Sequence, residues 1–157
     1  MKKLLKSFIA LTLVTMMCVL PIISFASSET VADNYAGTCD WLITIKNPET
    51  LTAATSTKTF VVSAVAVEGA AVTLYAFNSN SGIYEKIYDA EGMPLETTVG
   101  ASGLYAQQIN LKEGQNKLMV YATNGFDDQA VYLDINLISE GFIDKIKSFT
   151  IDFVNMF

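Results

Sequence analysis

The chain has 157 residues, with sixteen Asp and Glu against ten Lys and neither histidine nor arginine. This composition removes Ser-His-Asp and Cys-His triads, histidine metal sites and arginine phosphate clamps. A chain this acidic, without a basic footprint, repels a phosphate backbone and so excludes nucleic acid as a partner. At the N-terminus, Lys2, Lys3 and Lys6 precede an uncharged run from Ser7 to Phe25, and small Ser24 and Ala26 stand where a signal peptidase needs small side chains. This is the pattern of a removable export signal, 1–26, cut after Ala26. The alternative is an uncleaved membrane anchor, because the apolar run is nearly long enough to span a bilayer. Lipidation at Cys18 is disfavoured by the bulky Met17 before it. Without the signal, seven Lys face sixteen acidic residues, a net charge of −9, on a chain of one-domain length. Cys39 is then the one cysteine left and has no intramolecular partner.

Residues 27–40 are small and polar and are expected to form a mobile leader. From Trp41 onward, short runs rich in Val, Ile, Thr and Tyr alternate with Gly, Asn, Asp and Ser clusters at hairpin-like spacing. The predicted strands are Trp41 to Lys46, Phe60 to Val67, Ala71 to Phe77, Ile83 to Tyr88, a weaker Leu95 to Val99, Leu104 to Leu111, a run around Leu118, Val120 and Ala122, and Ala130 to Ile138. In the last of these Val131, Leu133, Ile135 and Leu137 alternate with Tyr132, Asp134 and Asn136, so one face is buried and the other wet. Val72, Leu74 and Ala76 share an inward face, while Lys117 and Tyr121 point outward. No long helix separates the strands, which argues against a parallel sheet. Residues 41–138 are therefore expected to form an all-β, immunoglobulin-like antiparallel β-sandwich, two sheets face to face.

Val62-Ser63-Ala64 and then Glu68-Gly69-Ala70-Ala71-Val72-Thr73-Leu74-Tyr75 resemble the second and third strands of bacterial Ig-like domains of the glucodextranase-B-like type. Ser102-Gly103-Leu104-Tyr105, Ile109-Asn110-Leu111-Lys112-Glu113-Gly114-Gln115-Asn116 and Leu118-Met119-Val120-Tyr121-Ala122-Thr123-Asn124-Gly125 resemble that family's run from a glycine-led strand through a Leu-x-Glu-Gly-x-Asn turn. In that turn Gly114 supplies the backbone freedom and Asn116 can bond its own loop. The resemblance covers 98 residues, Trp41 to Ile138. It implies a non-catalytic module of a secreted or wall-associated protein, acting as a spacer, an adhesive unit or a companion to carbohydrate-active domains. Ala64 stands where the family usually has glycine, and Ile83 to Pro94 is longer and more aromatic than a plain connector.

Carboxylates are the catalytic groups that remain, and a glycosidase needs two of them about 5 to 9 Å apart across a cleft. Asp89 with Glu91 and Asp127 with Asp128 are the closest pairs, but both lie in turns, where acidic residues serve turn formation. Enzymatic use is not expected, and neither is a cofactor. A calcium site from Asn124, Asp127 and Asp128 ranks slightly above catalysis but lacks an EF-hand spacing. Tyrosines 75, 84, 88, 105, 121 and 132 suit a sugar-stacking face, although ordinary strand composition explains them better. Tyr84 and Tyr88, in the unusual segment, are the candidates for glycan or surface contact. Cys39 reads as a buried, inert thiol before an intermolecular disulfide.

Residues 139–157 change period. Phe142, Ile146, Phe149, Phe153 and Phe157 recur at helical spacing, with Asp144, Ser148, Asp152 and Asn155 opposite and Lys145 and Lys147 flanking. Ser139 is the expected N-cap. Such an amphipathic helix is unstable alone in water and needs a surface. That surface is its own sandwich, a groove on a partner protein or second copy, or a membrane interface. Two Lys against two Asp on the helix favour protein over lipid. The sequence thus predicts a secreted or cell-surface binding or scaffold module, with extracellular carbohydrate binding as the alternative function.

Overall fold

Hydrophobic alternation builds most of the architecture. The computed structural model describes residues 27–139 and 141–146; the expected signal, 1–26, lies outside the described residues. Ten strands form: β1 (Thr30–Ala32), β2 (Ile43–Asn47), β3 (Thr52–Thr55), β4 (Thr59–Ala66), β5 (Ala71–Asn78), β6 (Ile83–Lys86), β7 (Glu96–Thr98), β8 (Leu104–Asn110), β9 (Gly114–Thr123) and β10 (Asp128–Leu137). The larger sheet runs β1-β6-β5-β9-β10-β3, with β7 also paired to β5, and the smaller runs β2-β4-β8. Inward residues of both sheets meet in one core, where Leu42, Val62, Val72, Leu74, Val120 and Ile135 are fully buried. Two sheets stacked on that core, β2-β4-β8 facing a larger sheet centred on β5-β9-β10, make an all-β sandwich.

The expected antiparallel pairing needs one correction, because β3 runs parallel to β10. β3 reads Thr-Ala-Ala-Thr, and these small side chains give no burial signal. It is held by backbone bonds, with Asp134 N donating to Leu51 O and Ile138 N to Thr55 O, both at 2.8 Å. The segment 83–99 also resolves into a definite order. β6 pairs with the second half of β5 and β7 with the first half, along the same edge. Two turns match their residues. Gly114 takes φ +84°, and the Asn116 amide donates to Lys112 O at 2.7 Å and Gly114 O at 2.9 Å.

The largest correction concerns residues 27–40, which are not a mobile leader. They form a strap across the outer face of the larger sheet. β1 pairs with β6 at the edge, Gly37 bridges to Gln129, and Thr38 N and Cys39 N both donate to Asp128 O, at 2.8 and 3.0 Å. Beneath the strap lies a second apolar cluster of Tyr75, Tyr84 and Met119, flanked by Val31, Phe77, Tyr121 and Tyr132. β5, β9 and β10 are therefore covered on both faces. At the strap's start Lys86, almost wholly buried, places its ammonium 2.9 Å from Ser27 O, 3.4 Å from Glu96 and 3.5 Å from Glu29. Ser27 Oγ donates to Glu96 at 2.7 Å, and Tyr75 OH donates to Ser28 O at 2.5 Å.

Gly37 is the position where strap and sheet come closest. Its φ is +74°, and an added Cβ would lie 2.8 Å from Asp128 O and 2.9 Å from Gln129 Cα, both backbone atoms that cannot yield. Gly37→Ala therefore combines left-handed strain with a backbone clash. It is expected to cost about 2–4 kcal/mol, read as a lower urea midpoint at unchanged slope.

Candidate functional site

The tyrosines do not assemble into an outward stacking face. Of the six, Tyr75, Tyr84 and Tyr105 are buried, Tyr121 and Tyr132 are half-buried, and Tyr88 is exposed. Tyr84 has to be withdrawn as a contact residue. It is 3% exposed and packs between Phe77 and Tyr132, with ring centroids 5.2 and 5.3 Å away. Burial pushes its hydroxyl pKa up to about 12. Tyr88 keeps its exposure, and its hydroxyl donates to the Glu29 carboxylate of the strap. The structure thus separates the two residues that the sequence had paired.

The acidic pairs have structural work in their turns. Asp89 Oδ1 accepts from Glu91 N at 3.0 Å and Met93 N at 2.7 Å, closing the turn between β6 and β7. Asn124 Oδ1 accepts from Phe126 N at 2.9 Å and Asp127 N at 2.8 Å, so it caps the β9–β10 hairpin from within. Asp128 points under the strap instead of into a cleft. Its carboxylate accepts from Tyr35 OH, from Tyr121 OH at 3.0 Å and from Thr38 N at 3.0 Å. Burial pushes this carboxyl upward, but the hydrogen bonds from Tyr35, Thr38 and Tyr121 together hold it below the usual range. The same bond to Asp128 raises Tyr35 to about 12. Among the described residues no three His, Cys, Asp or Glu side chains gather as metal ligands. Cys39 is half-buried against the core, with its thiol donating to Asp128 O.

What stands open is the outer face of the smaller sheet. Val61 and Val65 on β4 and Leu104 on β8 point away from the core, at 42%, 43% and 68% exposure. Leu104 lies directly across from Val65, which makes an apolar cross-strand pair with no strand or strap over it among the described residues. β2, β4 and β8 contain no acidic residue, although the chain carries sixteen. At the end of the sandwich nearest Leu104, Trp41 precedes β2 and Phe126 tips the β9–β10 hairpin, 94% exposed. Sequence reading passed over these side chains because a lone apolar residue in an alternating strand or turn carries no orientation of its own. Strand charge gives no signal for this face, because β1, β3, β5 and β9 of the larger sheet also lack Asp and Glu.

At the opposite end, β10 leads into a helical turn over 141–146, with Ser139 O accepting from Phe142 N at 3.1 Å and Ile143 N at 3.2 Å. Phe142 and Ile146 of the predicted stripe are 55% and 52% exposed. Phe149, Phe153 and Phe157 lie outside the described residues. Among the described residues no helix is long and apolar enough to cross a membrane. Compared with known proteins, no family model matches the chain and no curated protein matches its sequence.

Proposed function

We propose that the chain is an exported, non-catalytic binding or scaffold module of the bacterial Ig-like kind, secreted or held at the cell surface, whose C-terminal amphipathic helix docks on a partner protein, a second copy or a membrane. The observation that carries the reading is the half-exposed Phe142 at the root of the predicted stripe, on a sandwich whose own core is already closed. Large apolar side chains left in water beside a complete core mark contact surfaces more often than packing faults. The acidic turns support the same reading, since Asp89 and Asp128 spend their carboxylates on backbone and tyrosine donors.

The test compares residues 27–157 with residues 27–140, which retain all ten strands. Both should unfold cooperatively at similar temperature. The longer form alone should gain mass by light scattering or float with phosphatidylglycerol/phosphatidylethanolamine vesicles. Equal behaviour of the two forms in both assays would remove the helix as a docking device. Carbohydrate binding ranks second. It keeps Tyr88 and a polar cleft of about 540 Å³ lined by residues that include Asn78, Asn80, Glu85 and Gln115. Retention on a glycan array that Tyr88→Ala abolishes would bring it forward.

A further inference from the structure

The hairpin between β9 and β10 turns on Asn124 and Gly125, and Asn124 is the one asparagine of the chain followed by glycine. The backbone nitrogen after an asparagine can attack the side-chain amide, and glycine, which has no Cβ, obstructs that attack least. In an unfolded chain the side chain, the nitrogen and stabilising donors meet only by chance, whereas a fixed turn can hold them together. We propose that Asn124 is a self-modifying site: the folded hairpin promotes its cyclisation onto Gly125 N and so converts it to aspartate and isoaspartate.

The electrophile is prepared by two donors. Asn124 Oδ1 accepts from Phe126 N at 2.9 Å and from Asp127 N at 2.8 Å. The bond to Phe126 N folds the side chain back over the Gly125 peptide, and both bonds draw electron density from Cγ. When nitrogen adds to Cγ, negative charge gathers on Oδ1, where the two backbone N–H groups already point. Donors fixed in advance at the seat of a developing oxyanion lower the barrier to its formation. The nucleophile is fixed as well. Gly125 N donates to Thr123 Oγ1 at 3.0 Å, and that hydroxyl donates in turn to Asp127 O at 3.0 Å. Thr123 thereby sets the plane of the attacking peptide and acts as a positioning residue. Gly125 holds φ +89°, a conformation that a residue with a side chain rarely adopts. The turn is open to solvent, with Phe126 94% exposed, so water reaches it and ammonia leaves it freely.

The reaction balances with water alone. Gly125 N forms a bond to Cγ and gives up its proton, the Cγ–Nδ2 bond breaks, and ammonia departs with that proton, leaving a five-membered imide. Water then opens one of the two imide carbonyls. Opening at Cγ gives aspartate on the original backbone. Opening at the main-chain carbonyl of residue 124 gives isoaspartate, with one extra methylene in the chain. Both products set a new carboxylate beside Asp127 and Asp128. The longer backbone of isoaspartate also alters the closure made by Asn124 N on Asp127 O at 3.2 Å, and with it the presentation of Phe126.

The experiment incubates the folded protein in heavy-oxygen water at neutral pH and follows label at residue 124 by peptide mapping that separates aspartate from isoaspartate. The references are a synthetic peptide of residues 122–128 and the same protein unfolded in guanidinium chloride. The proposal expects label to enter the folded protein at least about tenfold faster than the peptide, and expects unfolding to slow it to the peptide's rate. Thr123→Val should react more slowly than Thr123→Ser, which keeps the acceptor, with melting curves confirming that both variants fold. A folded rate at or below the peptide's would overturn the proposal, since the two bonds on Oδ1 would then protect the amide. Acceleration on unfolding would overturn it in the same way. Equal rates for Thr123→Val and Thr123→Ser would overturn the role given to Thr123.

Discussion

Residues 39–157, expressed without the strap, are expected to lose cooperative folding. Removing 27–38 uncovers Tyr75, Tyr84 and Met119, which are at most 3% exposed beneath it. Each such side chain contributes roughly 1.5 to 3 kcal/mol by burial, so their partial re-exposure costs on the order of 5 kcal/mol. That is a large part of the 5–15 kcal/mol that holds an ordinary domain together, roughly speaking. The loss also strands Lys86, whose buried ammonium would keep Glu96 but lose Ser27 O and Glu29, and a buried charge without its partners is costly. Urea titration should show a midpoint near zero or a broad transition, with a dye for exposed apolar surface binding in buffer alone. A sharp transition at the midpoint of residues 27–157 would show that the strap is an accessory.

The second large effect is expected at Asp128. Asp128→Ala leaves Tyr35 OH, Tyr121 OH and Thr38 N without their carboxylate acceptor. It should cost about 3–5 kcal/mol, because donors to a charged acceptor are strong and their orphaning under the strap is not repaid by water. The pH profile gives an independent check. The folded-state pKa of Asp128 is depressed, whereas in the unfolded chain it titrates near its ordinary value of about 3.9. Folding therefore favours the ionised form. The contribution is complete above about pH 5, well clear of the unfolded value, and is lost as pH falls through 4 toward the folded value. Unfolding free energies at pH 6 and pH 3 should accordingly differ less in Asp128→Asn than in the unmodified chain. An identical difference would mean that other carboxylates carry the acid sensitivity.

The strands with one buried face were legible from alternation, and the match extends to individual residues such as Leu133, Ile135 and Leu137 on β10. Gly114 and Asn116 were legible from turn chemistry. The strap was not, because its anchors are mostly backbone and hydroxyl hydrogen bonds that leave no apolar pattern, with Val31 its apolar contact to the cluster beneath, and three residues of β1 hold no periodicity. Its trace lay in its host: Ala-Val-Thr-Leu-Tyr-Ala-Phe on β5 is a charge-free run, as expected of a strand covered on both faces. Reading Tyr121 as outward was geometrically correct, but a second layer covers that face. The open face of the smaller sheet went unread for the opposite reason. Val61, Val65 and Leu104 occupy outward positions in the alternation, and among the described residues no segment covers them as the strap covers the other side.

The smaller sheet has a further property. β2 and β8 are its two free edges, and they are guarded unequally. β2 carries Lys46 at an irregularity in its pairing, a common way of discouraging a foreign strand. β8 reads Leu-Tyr-Ala-Gln-Gln-Ile-Asn, seven residues without a charge or a proline, which is the composition of segments that stack into cross-β fibrils. Protection of that edge falls to long-range repulsion between acidic molecules, and such repulsion fades once salt shortens its reach to a few ångströms. High salt or low pH weakens that repulsion and is therefore expected to leave the β8 edge more open to pairing with a foreign strand.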